Sequence, residues 1–109
     1  MAYDEKLAAR VRATLAAEPV TSERKMFGGL CFLVNGNMAC GIVKDELMVR
    51  VGVERHEEAL AQPHARPMDF TGRPMKGMVT VAAEGVRSAA GLRAWVRRGA
   101  NYAAELPPK

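Results

Sequence analysis

The sequence predicts an α+β fold: a two-layer sandwich, with an antiparallel β-sheet of about five strands carrying helices on one face, in the order α-β-β-β-α-β-β-α. Three observations predict it. Apolar residues recur at helical spacing near both ends of the chain. Between those ends lie short runs with the period-2 alternation of strands. And Asn35-Gly36 sits between two such runs, a strong hairpin signal, because a type I′ turn needs positive φ at both central residues.

The elements follow in order. Residues 4–17 form a helix, with Leu7, Val11 and Leu15 on one stripe, Asp4 and Glu5 at the end where the helix dipole favours acids, and Pro19 as the stop. Residues 30–34 and 37–43 flank the Asn35-Gly36 turn. A second turn near Lys44-Asp45-Glu46 leads into residues 47–51, where Leu47, Val49 and Val51 face one way and Met48 and Arg50 the other. Residues 53–63 hold a short helix stopped by Pro63. Pro67, Gly72 and Pro74 then make a loop-rich stretch around a short extended piece at 68–70, before a clear strand at 77–81. Ser88 caps the last helix, whose Leu92, Trp95, Val96, Gly99, Ala103 and Leu106 share one face. The adjacent Gly28 and Gly29 predict a bent first strand: residues 24–27 lie on one side of the kink, 30–34 on the other, and one glycine occupies a bulge or a positive φ.

Composition narrows the function. The chain has 109 residues, enough for one domain spanning residues 1–109. No apolar run approaches the roughly 20 residues that cross a bilayer. The charged, amphipathic N-terminus is unlike a secretory signal, and two cysteines are too few for a disulfide scaffold, so a cytoplasmic protein is expected. The net charge of +4 comes from scattered arginines without a run of like charges.

Several stretches resemble the N-terminal domain of the TfoX/Sxy family. They are RKMFGGLCFLVNGNMACGIV at residues 24–43, ELMVRVG at 46–52, RPMDFTGRPMKGMVTV at 66–81 and LRAWVRRGANYAAELPPK at the C-terminus. The most specific piece is Met26-Phe27-Gly28-Gly29, supported by Pro67-Met68 and by Arg73-Pro74-Met75-Lys76-Gly77. The resemblance implies a bacterial α+β domain similar to secretion chaperones. Founding members regulate natural competence and carry a second, helical domain; this chain stops where the N-terminal domain would end, so a stand-alone copy is expected. The family supplies no catalytic residues.

The residues themselves offer few sites. His56 and His64 lack the convergent ligands of a metal centre and are expected on the surface, so no metal and no cofactor is expected. The Gly28-Gly29 pair lacks GxGxxG spacing and leads into a strand and not into a helix N-terminus, which makes it a weak signal for a phosphate loop. Arg24 and Lys25, with Arg73 and Lys76 from the glycine-proline loop, would form one anion-binding patch if that loop packs near the first strand. Met68, Met75 and Met78, next to loops, are candidates for a partner groove. Met26, Phe27, Gly28, Gly29, Asn35, Gly36, Pro67, Gly77 and Trp95 are structural candidates. With a two-residue turn at Asn35-Gly36 and a regular ladder, Leu33 pairs with Met38 and Cys31 with Cys40, making the two thiols neighbours on one face together with Ile42. Apolar residues on both parities of this hairpin predict a homodimer that covers the second sheet face. The expected function is non-enzymatic: a regulatory or interaction domain that binds a protein partner. The alternative is a basic module for nucleic acid or a phosphorylated ligand.

Overall fold

A computed structural model describes residues 3–16, 21–26, 29–69 and 74–107, with the side chains of Met26, Met68, Asp69, Pro74 and Met75 outside the description. The first helix, α1, spans Glu5–Leu15. The Asp4 carboxylate accepts from the backbone N–H groups of Lys6 and Leu7 at 2.9 and 3.2 Å, satisfying two of the donors a helix start leaves open. Leu7, Ala8, Val11 and Leu15 are buried, as their spacing requires.

Six strands follow: β1 (Thr21–Met26), β2 (Gly29–Val34), β3 (Asn37–Val43), β4 (Glu46–Arg50), β5 (Ala65–Asp69) and β6 (Pro74–Val81). They form one sheet in the order β1-β2-β3-β4-β6-β5, every neighbouring pair antiparallel. A 3-10 turn at Val53–Arg55 leads into α2 (His56–Leu60), and a second at Ala83–Val86 leads into α3 (Ala89–Glu105). Helix α3 lies over β3 and β4, α1 sits beside it, and α2 covers β5 and β6. Ser88 caps α3 by accepting from the Gly91 N–H at 3.0 Å. The buried residues of all three helices share one cluster with Leu30, Phe32, Cys40, Ile42, Leu47, Val49, Val79 and Val81. The architecture is therefore the expected α+β sandwich with helices on one face.

The sheet has six strands, not about five, because the expected bent first strand is two paired strands. The chain does not bend between residues 26 and 29 but reverses: β1 pairs with β2 along its whole length, ending at Met26 opposite Gly29. Gly28 lies outside the described residues. Gly29 is not at positive φ; a Cβ there would overlap the carbonyl oxygen of Ile42 on β3. It is glycine because two strands pass too close for a side chain.

The Asn35-Gly36 turn forms as expected, with φ of 54° and 81° and Val34 opposite Asn37. Leu33 faces Met38, also as expected. Beyond that pair the register shifts: Phe32 faces Cys40 and Cys31 faces Gly41. Ala39 is the extra residue of a β-bulge. A one-residue shift moves every later side chain to the other face. Cys31 and Cys40 are consequently on opposite faces and not paired, and Ile42 joins Leu30 beneath the helices. The bulge also accommodates α3: Gly99 packs against the Ala39 carbonyl so closely that a Cβ would overlap it.

The prolines fit a strand where a loop was expected. Pro67 lies within β5, an edge strand, and Pro74 is the first residue of β6, the positions a sheet tolerates. Among the described residues no helix is long and apolar enough to cross a membrane.

Candidate functional site: the sheet face without helices

The strand registers place Arg24, Cys31, Gly41, Met48, Thr80 and Arg66 directly opposite one another in one row across all six strands. Cross-strand partners share a face, and this row lies on the side away from the helices. Its centre is built around the missing side chain of Gly41. A Cβ there would lie 3.0 Å from Met48 Cε and 3.4 Å from Cys31 Sγ, so the methionine folds flat over the glycine beside the thiol. Met48 and Met78 form a small apolar cluster with Met38 and Val43 packed against it. Met48 and Met78 are only 2% and 7% exposed, although no described helix lies above them. The flexible thioether chains shield the sheet and one another. The row ends in arginines: Arg24 on β1, and Arg66 on β5, whose guanidinium meets Glu46 at 2.6 Å.

Among the described residues the expected cationic patch is divided. Arg24 and Lys25 are exposed on β1, whereas Lys76 is exposed on β6, four strand spacings away, about 19 Å at ~4.8 Å per strand. Lys25 also lies near the end of the sheet where Met26 meets Gly29, and Lys76 near the opposite end, where Pro74 meets Asp69. Arg73 and Phe27 lie outside the described residues. Met68 and Met75 belong to β5 and β6. Trp95 is buried in α3, with the Arg98 guanidinium 5.2 Å from its ring centroid.

Two residues have roles the sequence did not reveal. His56 Nδ1 accepts from the Gly77 N–H at 3.0 Å, while the Gly77 carbonyl accepts from Val51 and Gly52. This fixes Gly77 at a φ of 86°, where a side chain would be strained. Asn37 Nδ2 donates to the carbonyls of Ala103 and Pro107 at 3.4 and 3.0 Å, tying the hairpin to the end of α3. Only the sequence neighbourhood of helix ends and glycines hints at such partners, which are 21 to 70 positions away.

Burial pushes the Cys40 thiol up to about 12 and raises that of Cys31, so neither is poised as a thiolate. Among the described residues no three His, Cys, Asp or Glu side chains converge as metal ligands. Three described clefts, of about 210 to 240 Å³, fall below the ~300 Å³ at which small-molecule sites begin. Compared with known families, residues 4–103 match the TfoX N-terminal domain. No curated protein and no solved structure matches the chain.

Proposed function

The chain belongs to the TfoX N-terminal domain family, and from that membership we propose that it is a non-enzymatic regulatory domain that binds a protein partner through the helix-free face of its sheet. One observation carries the reading: a sheet whose helices all lie on one side presents, on the other, a methionine-lined floor between Arg24 and Arg66. Methionine side chains rearrange at low cost and are overused on adaptable partner surfaces. Arginine and methionine are both enriched at protein interfaces. In this reading the protein acts in a bacterial cytoplasm, where its two free cysteines stay reduced.

A photo-crosslinking residue placed in living cells tests this. Leu33 and Val43 are partly exposed on the proposed face; Ala94 is exposed on the helical layer. Crosslinked adducts are expected from positions 33 and 43 and not from 94. An adduct joining two copies of the chain identifies a homodimer as the occupant, the companion expectation, which light scattering would show independently. Absence of adducts from positions 33 and 43, or equal yields from 94, overturns the proposal.

A further inference from the structure

The helical layer carries a charge pattern of its own. One flank of α3 is engaged with α2 and the turn before it: Arg98 meets Glu58 at 3.1 Å, Glu105 meets Arg55 at 3.2 Å, and the Tyr102 ring lies against Gly52. Arg93 and Arg97, one turn apart, lie exposed on the other flank, the side on which α1 packs. Helix α1 adds Lys6 and Arg10, also one turn apart. Arg10 Nη2 donates to the Arg87 carbonyl at 3.0 Å, bringing α1 to the start of α3 and a fifth cation beside it.

Lys6, Arg10, Arg87, Arg93 and Arg97 together carry +5, against +4 for the whole chain, so everything else sums to −1. Among the described residues none of the five forms an ion pair, whereas Arg12, Arg55, Arg66 and Arg98 each do. Two of the nearby acids are turned to another task or another side. Asp4 caps α1, and Glu5 lies on the flank of α1 away from Arg10. Glu84 is exposed in the 3-10 turn. Beside the cations lie small exposed residues: Ala9, Ala13 and Ala90. Such a surface offers no aromatic or large apolar anchor for a protein partner to bury. It offers pairs of cationic residues about 6 Å apart along each helix, ammonium and guanidinium on α1 and two guanidinium groups on α3, with nothing bulky to hold a charged backbone away.

We propose that this stripe along α1 and α3 docks the sugar-phosphate backbone of duplex DNA, without reading its sequence. Duplex DNA is a dense line of charge, one per ~1.7 Å of axis, and five unpaired cations on one ridge are its complement. The stripe is on the layer opposite the protein-binding face, so this site stands or falls separately from that one.

Fluorescence anisotropy of a labelled mixed-sequence duplex of about 20 base pairs, titrated between about 50 and 200 mM salt, decides the matter. Binding is expected at low salt, with a slope of log affinity against log salt of about −3 to −4.5 for three to five phosphate contacts. An Arg93→Gln/Arg97→Gln variant should weaken binding alike on any sequence and reduce the slope by about 2. Arg55→Gln, a cation outside the stripe, should leave the slope unchanged. Both stripe positions are exposed, and a circular dichroism spectrum equal to wild type is the check that the variant is folded. No binding at about 50 mM salt overturns the proposal, as does an unchanged slope in the folded double variant or an equal loss from Arg55→Gln.

Discussion

Replacing Gly29 by alanine would push a Cβ into the Ile42 carbonyl, so β2 and β3 would have to separate where the first hairpin begins. The expected cost is about 1–3 kcal/mol, as for other overpacked interior positions, read as a lowered urea midpoint at unchanged slope. A midpoint equal to wild type would show that the strands do not need this approach. The sequence displays the glycine but not its reason, because the atom that forbids a side chain belongs to a strand 13 positions further along. The same holds for Asn37 and His56, whose partners are distant carbonyl and N–H groups. What a residue type can reveal alone is its local backbone preference, and Asn35-Gly36, with both φ values positive, shows that this information is dependable.

Among the elements, those with strong periodicity were legible. Helix α1 buries the stripe its spacing predicts, α3 does so except for Leu106, half-buried beyond the helix end, and β4 sends Leu47 and Val49 to one face and Met48 to the other, all three buried. The two edge strands were not. β1, TSERKM, is exposed from Thr21 to Lys25, so it lacks the alternation that one buried face imposes. β5 contains a proline. Charge and proline are what protect sheet edges from unwanted pairing, and they also erase the strand signal. One device anchors the β1 edge: Arg12 on α1 meets Glu23 at 2.5 and 2.8 Å through two nitrogens. The hydrogen bond from Arg12 lowers the Glu23 pKa below the usual carboxylate value. A carboxylate lowered in the folded state adds stability that is complete above its unfolded pKa and is lost as pH falls through the folded one. Glu23→Gln should therefore lower the midpoint slightly at neutral pH, since both side chains are substantially solvated. Below the ordinary carboxylate range the two proteins should melt alike. A difference that persists or grows in acid would contradict this assignment.

At the scale of the whole molecule, strand order decides which residues meet, and no local pattern encodes it. Arg24 and Lys76 belong to opposite halves of a sheet that runs β1-β2-β3-β4-β6-β5, so a patch drawn from sequence proximity to loops dissolves. The Ala39 bulge has a comparable reach: one added residue sends Cys31 and Cys40 to opposite sides of the sheet. The sheet thereby becomes a partition with a chemical witness in each chamber. Cys40 is sealed under α3 and gains access to reagent only when the helical layer departs, which is global unfolding. Cys31 is shielded beside Met48 by side chains that need only rotate. In timed alkylation read by peptide mass, Cys31 should be modified first under native conditions, and Cys40 only at the rate of whole-chain opening. Equal rates would mean that the two chambers open together. Unequal rates would make the protein its own reporter, since any occupant of the methionine face should slow the first clock and leave the second running.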